Sequence, residues 1–135
     1  MPHSALLKLT AVVMAAFGLA LLLAPDTLMA VYKAPKLGAS GAYNAMLYGA
    51  LLLSAALINW MASAGDADQA KPVIYGDLLN SVLSLGVAVY RQVQPESLPS
   101  GWVNIGIFLV FTLLFAQLVF RGSAAQRPGG RGRVA

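Results

Sequence analysis

The sequence predicts an all-α integral membrane protein, a four-helix bundle with both termini on the same side of the bilayer. Of its 135 residues, 59% are hydrophobic and only 10% are charged, whereas soluble domains carry roughly 25% charged residues. The apolar residues fall into four runs, each close to the ~20 residues that a helix needs to cross the hydrocarbon core. Open strands are excluded in such runs, because their edges would leave backbone groups unpaired in lipid.

The first span is predicted over residues 5–24, an apolar run that is interrupted only by Lys8. A basic start followed by an apolar run also fits a secretory signal peptide, whose cleavage would leave three spans. Pro25 and Asp26 follow the run directly. Proline suits the first position of a helix, and an acidic residue complements its positive end. A short helix lying in the membrane interface is therefore predicted after span one.

The second span is predicted over residues 43–64, which carry no charge, and the third over residues 73–90, where Asp77 is the one charged residue. A short hydrophilic segment, GDADQAKP, joins them, so we expect the two helices to be antiparallel neighbours. Aromatic residues such as Trp60 and Tyr90 lie at the span edges. This position is typical of the two membrane interfaces.

The fourth span is predicted over residues 102–120, again without charge, so that residues 1–120 form the bundle. Residues 121–135 are rich in arginine and glycine and are predicted to be a disordered basic tail. With four spans, the side that carries the termini holds six of the nine basic residues; these are Lys8, Lys71, Arg121, Arg127, Arg131 and Arg133. The positive-inside rule then places both termini in the cytoplasm or its organellar equivalent.

The polar residues of span three share one face of the helix. At about 100° per residue, Asn80, Ser81 and Ser84 all lie within about 60° of Asp77, and the opposite face is leucine and valine. Ionisable groups inside a membrane are unfavourable and usually point into a bundle interior or a water-filled cavity. We therefore expect this polar stripe to face protein or water.

Each predicted span, together with the residues just beyond its ends, also places one polar side chain at each of two levels of the bundle. The cytoplasmic level consists of Lys8, Asn59, Asp77 and Gln117, and the outer level of Asp26, Asn44, Arg91 and Asn104. A buried carboxyl group must be neutral or paired, so Lys8 is the expected partner of Asp77. The candidate intramembrane polar site comprises Asp77, Asn80, Ser81, Ser84, Lys8, Asn59 and Gln117.

Small residues spaced one helical turn apart predict close helix–helix contact. Such pairs occur twice in span two and once in span three, and the predicted contact residues are Ala45, Gly49, Ala50, Ser54 and Ala88.

The sequence contains no recognisable catalytic constellation. There is no cysteine, and the one histidine, His3, lies in the N-terminal segment, so no Ser–His pair is expected at membrane depth. The five acidic residues have no metal-ligand spacing with that histidine. We therefore predict that the protein is not an enzyme and has no metal or cofactor. No nucleic-acid partner is expected either, because the arginine-containing tail lacks aromatic residues.

Two stretches carry a resemblance to a known kind of protein. GLALLLAPDTLMAVY at the end of span one and YGALLLSAALINWMA in span two resemble the small four-helix membrane proteins of the DoxX-like kind and neighbouring bacterial-type families. The shared features are a glycine in span one, Pro25-Asp26 after it and a glycine early in span two. The resemblance implies a four-helix bundle and no catalytic motif.

Three functions are compatible with these features. The expected one is a non-enzymatic accessory or assembly subunit of a larger membrane complex, because catalytic chemistry is missing and small residues offer contact faces. The alternative is a small homodimeric transporter or channel for a proton-coupled or hydrophobic solute, which would use the polar stripe of span three. A further alternative is a lipid- or quinone-binding protein that uses the level of Tyr48 and Ser84. The expected partners are membrane lipids and either other membrane subunits or further copies of this chain.

Overall fold

The computed structural model describes residues 2–95 and 97–125, which form five α-helices and no strand. The helices are α1 (His3–Leu23), α2 (Pro25–Val31), α3 (Ala39–Ala62), α4 (Ala67–Gln92) and α5 (Gly101–Ala125). All except α2 are long and apolar enough to cross a membrane. The prediction of an all-α protein with four helices able to span a membrane is thereby confirmed, and these helices indicate an integral membrane protein.

The long helices extend beyond several of the predicted spans. Helix α4 begins at Ala67 rather than at residue 73, because Asp66 acts as its N-cap and accepts a hydrogen bond from the Gln69 amide at 2.8 Å. Helix α5 continues to Ala125, so residues 121–125 are helical and the prediction of disorder is wrong for them. The remainder of the predicted tail, residues 126–135, lies outside the described residues.

The Asp66 cap gives a measurable expectation for stability. Asp66→Ala leaves the Gln69 amide without its acceptor and is expected to lower the free energy of unfolding by about 1 kcal/mol. Asp66→Asn keeps an acceptor and is expected to change it by only a few tenths. Both variants can be compared with the wild type by SDS titration in mixed micelles. An equal loss in the two variants would show that the side chain acts through its charge rather than as a cap.

Helix α2 occupies the place where a short helix was predicted after span one. It has Pro25 at its first position and Asp26 in its first turn. It ends in a Schellman motif, in which the amides of Lys33 and Ala34 bond back to carbonyls of the last turn and Lys33 adopts a φ of 54°. The Asp26 side chain then accepts a hydrogen bond from the Leu37 amide at 3.1 Å. These bonds direct the chain from α2 into α3.

The four long helices are arranged as two pairs. Helix α1 packs along α3, and α4 packs along α5, whereas α3 and α4 touch at few places. Spans two and three, which were expected to be antiparallel neighbours, do touch, but each packs mainly against another helix. A short connection brings two helix ends together, but the side chains along each face decide which helices pack. Here the decisive face of α3 is the one that meets α1.

That face contains the closest approach of the two helices, at Gly18 of α1 and Gly49 of α3. A Cβ atom added to Gly49 would lie 2.7 Å from the Gly18 carbonyl oxygen and 2.8 Å from the Leu22 nitrogen. A Cβ atom added to Gly18 would lie 2.9 Å from the Gly49 carbonyl oxygen. Backbone atoms cannot move aside as a flexible side chain can, so only glycine fits at either position.

The other predicted contact residues divide between the interior and the surface. Ala45 and Ala88 are partly buried, whereas Ala50 and Ser54 are exposed on the outer face of α3. The prediction that Ala50 and Ser54 contact another helix is therefore wrong within this chain. The α3 face that packs is rotated away from them, because Gly49 already determines where α1 lies.

A buried hydrophobic cluster joins the two helix pairs at one end of the bundle. It consists of Leu6, Leu7, Ala70, Ile74 and Phe115, contributed by α1, α4 and α5. Beyond this cluster the two pairs leave space between them, and the residues that border this space form the candidate site.

Candidate functional site

Two adjoining cavities lie between the helix pairs. The central cavity has a volume of about 400 Å³ and is bordered by residues from all five helices. The second, here called the α4–α5 cavity, has a volume of about 450 Å³ and is bordered mainly by α4, α5 and the segment between them. Both volumes fall within the roughly 300–1,000 Å³ of typical ligand sites. The two cavities share Tyr48, Leu98, Asn104 and Phe108.

The wall of the central cavity is mainly aromatic and aliphatic. Helix α5 contributes Phe108, Phe111 and Phe115, and α1 contributes Phe17. The rings of Phe111 and Phe115 stack with their centroids 6.3 Å apart. Sequence reasoning missed these residues, although three phenylalanines at i, i+3 and i+7 indicate one common face of span four. This wall offers a large apolar contact surface.

The polar stripe of α4 faces the two cavities. Asp77, Asn80 and Ser81 line the central cavity, and Ser84 and Arg91 line the α4–α5 cavity. The stripe therefore faces the space between the helix pairs, while Leu79 and Val82 on the other side of α4 are exposed. Tyr48, which was expected at the level of Ser84, borders both cavities.

Asp77 is paired with Asn59 of α3 in the interior. The Asn59 side-chain amide donates to Asp77 Oδ1 at 3.3 Å and to the Ala55 carbonyl at 3.2 Å. Asp77 is 8% exposed and Asn59 is 2% exposed. Asp77 Oδ2 and Asn59 Oδ1 have no hydrogen-bond partner among the residues that the structure describes. Since buried polar atoms are nearly always satisfied, this pair presents two acceptor atoms that lack a donor.

Lys8 does not take part in this pair, contrary to the prediction. Its side chain is exposed, and the ion pair found among residues 2–95 and 97–125 joins Lys71 to Asp68 at 2.6 Å. The reason is the direction in which each side chain leaves helix α1. The two residues before Lys8 are buried in the hydrophobic cluster. Because each residue is rotated about 100° from the one before it, the side chain of Lys8 points outward. Gln117 is also exposed, so neither residue belongs to the Asp77 cluster.

The predicted outer level is likewise not assembled into one cluster. Asp26 accepts the hydrogen bond from the Leu37 amide between α2 and α3. Asn44 is exposed, and Arg91 is exposed beside the α4–α5 cavity. Asn104 accepts a hydrogen bond from the Tyr32 hydroxyl at 3.1 Å, and both residues line the central cavity. Burial raises the pKa of Tyr32 above its usual value near 10. The phenol therefore remains a donor at neutral pH.

This arrangement suits the binding of a ligand. The described residues that line the central cavity include hydroxyl, amide and carboxyl groups but no histidine, lysine or arginine. In the described part of the chain, no three or more His, Asp or Glu side chains come together in a way that could hold a metal ion. The cavity thus combines an apolar body with a few hydrogen-bonding groups at two ends.

Comparison of the chain with protein-family models, with characterised proteins and with solved structures found no match. The DoxX-like resemblance of spans one and two therefore stays a prediction.

Proposed function

We propose that this chain is a non-enzymatic membrane protein that binds one hydrophobic small molecule, of the lipid or quinone kind, in the central cavity. The proposal is carried by the cavity itself. It has about 400 Å³ of space between the helix pairs, a wall that is mostly apolar, and a few polar groups at defined positions. Ligand sites in proteins are built in this way, with apolar contact for affinity and a few polar groups for orientation.

The size of the cavity supports an occupant. Its volume of about 400 Å³ lies within the roughly 300–1,000 Å³ of typical ligand sites, which bury most of the surface of a small molecule.

The accessory-subunit role and the transporter role stay predictions. Ala50 and Ser54, exposed on α3, would offer a contact to another subunit or to a second copy. Asp77, Asn80 and Ser81 in the cavity would serve a transporter as its polar site. Binding in the cavity is the step that a transporter of hydrophobic solutes and a binding protein share, and the geometry favours it over the other functions.

We further propose that both termini lie in the cytoplasm or its organellar equivalent. The support is the distribution of charge, since six of the nine basic residues lie on the side of the termini. In this orientation α2 lies in the opposite membrane interface, where Pro25 and Asp26 begin the helix. The Tyr32–Asn104 end of the cavity then faces the outer side, and the Asp77 end faces the cytoplasm.

Filling the cavity should displace the bound molecule. Leu52 borders the central cavity, while its neighbour Leu51 is 65% exposed and serves as a matched control. Leu52→Trp is expected to reduce the amount of small molecule that co-purifies per protein by about tenfold, since overpacking costs about 1–3 kcal/mol and 1.4 kcal/mol is a factor of ten. Leu51→Trp is expected to retain the wild-type amount.

The measurement is mild-detergent purification, extraction and mass spectrometry of the small molecules, with protein-free micelles as background. Both variants should elute as single species with unchanged helical circular dichroism. Equal ligand content in the two variants would contradict binding in the central cavity. A stoichiometric larger protein without any small molecule would support the accessory role instead.

A further inference from the structure

The interior end of the central cavity presents an acceptor that lacks a donor. Asp77 lines the cavity and is 8% exposed, and its Oδ2 atom has no hydrogen-bond partner in the described part of the chain. The Oδ1 atom of Asn59, in the same pair, also lacks a partner there, but Asn59 does not border the cavity. Asp77 would gain a partner from a molecule that brings an N–H or O–H donor to this point.

Asp77 has no basic side chain as its partner among the described residues. None of the described residues that border the central cavity is a lysine, an arginine or a histidine. On the neighbouring elements, Lys8 of α1 is exposed, Lys71 of α4 is paired with Asp68, and Arg91 borders the other cavity. A carboxylate that is buried without a cation is strongly unfavourable. A positively charged ligand would therefore gain an interaction that a neutral ligand of the same shape would not.

The aromatic wall is suited to the same kind of ligand. Phe17, Phe108, Phe111, Phe115 and Tyr48 all border the central cavity. Faces of aromatic rings attract cations, and they do so more strongly when water is excluded. The apolar body and the positive charge of one molecule can thus be stabilised by a single wall.

From these three features we infer that the central cavity selects a hydrophobic organic cation, namely an amphipathic amine. Its protonated nitrogen interacts with the Asp77 carboxylate, and its apolar body lies against the phenylalanines. The inference rests on the proposed function and narrows its ligand class from hydrophobic molecules in general to positively charged ones.

A matched series of fluorescent probes tests the inference. Naphthylethylamine, naphthylethanol and naphthylacetate share one apolar body and differ in carrying a positive charge, no charge or a negative charge. Their binding to the purified protein in detergent micelles is measured by fluorescence anisotropy at neutral pH, with empty micelles as background. We expect the amine to bind about tenfold or more tightly than the alcohol, and the carboxylate most weakly.

Two substitutions at Asp77 test whether its carboxylate causes the preference for the amine. Asp77→Asn keeps the size of the side chain and an acceptor for Asn59, and it is expected to lower the affinity for the amine to that for the alcohol. Affinity for the alcohol should fall much less than affinity for the amine, because the alcohol carries no charge that is lost as a partner. Asp77→Glu keeps the charge and is expected to retain the preference for the amine. If both variants lose this preference while circular dichroism and elution profile stay unchanged, the charge at this position is not what selects the ligand and the inference is contradicted.

The outcomes separate this inference from the proposed function. Equal affinity for amine and alcohol in the wild type, with both lost in Leu52→Trp and kept in Leu51→Trp, would overturn cation selection and leave the cavity as a binding site. A preference for the amine that survives Asp77→Asn, or tightest binding of the carboxylate, would also overturn it. If Leu52→Trp changes the binding of none of the three probes, the proposed function fails as well.

Discussion

Gly49→Ala is expected to lower the free energy of unfolding by about 1–3 kcal/mol, the usual range for overpacking a tightly packed site, and to push α1 away from α3. The added methyl group would lie 2.7 Å from the Gly18 carbonyl oxygen and 2.8 Å from the Leu22 nitrogen. Because both atoms belong to the backbone of α1, the whole helix must shift. The α1–α3 pair forms one side of the central cavity, so such a shift should also weaken ligand binding.

Two other glycines provide the control for this prediction. Gly76 of α4 and Gly106 of α5 have open space where a Cβ atom would be placed. Alanine is favoured over glycine in a helix by about 1 kcal/mol, so Gly76→Ala and Gly106→Ala should be neutral or stabilising. The three variants can be compared by SDS titration in mixed micelles, with the fluorescence of Trp60 and Trp102 as the signal. If Gly49→Ala is as stable as Gly76→Ala, the close crossing of α1 and α3 is contradicted.

Removing Asn59 is expected to have an effect of similar size. Asn59→Leu takes away the hydrogen bond at 3.3 Å that Asp77 accepts and leaves a buried carboxyl group without a protein partner. Hydrogen bonds to charged groups contribute about 1.5–3 kcal/mol, so we expect a loss in this range. Asp77→Leu alone removes the same hydrogen bond and leaves the Asn59 amide with the Ala55 carbonyl as its acceptor. The double variant should lose less than the sum of the two, by about 1 kcal/mol or more.

The same cycle distinguishes Asn59 from Lys8 as the partner of Asp77. Lys8 is exposed, and exposed substitutions usually change stability by less than about 0.5 kcal/mol. Lys8→Met should therefore have little effect and should be additive with Asp77→Leu. Coupling between Lys8 and Asp77, together with additivity between Asn59 and Asp77, would reverse the assignment made from the structure.

The spans could be predicted because each long helix is hydrophobic over nearly its whole length. The composition of residues 43–64 or 102–120 is sufficient for this, since the bilayer sets both the length and the helical conformation. Helix boundaries were predicted less well where polar residues continue a helix into water. Asp66 and Asp68 at the start of α4 are such a case, because capping and the helix dipole extend the helix beyond its apolar part.

The candidate site could be predicted in part. The correct predictions concern residues of one helix, α4. The positions of Asp77, Asn80 and Ser81 on a common face follow from the helical repeat, and the structure places all three at the central cavity. Matching residues by depth across different helices was less successful. It grouped Lys8 and Gln117 with Asp77, although both are directed away from the interior.

The sequence by itself determined that this protein is a helical membrane protein with a polar stripe on its third span, because hydropathy and helical periodicity are local properties of the chain. The tertiary structure decided which helices pair, which partner Asp77 has and where the cavities lie. These features depend on the rotation of each helix about its own axis and on a backbone contact between Gly18 and Gly49. Rotation and contact are set by packing between segments that lie far apart in the sequence.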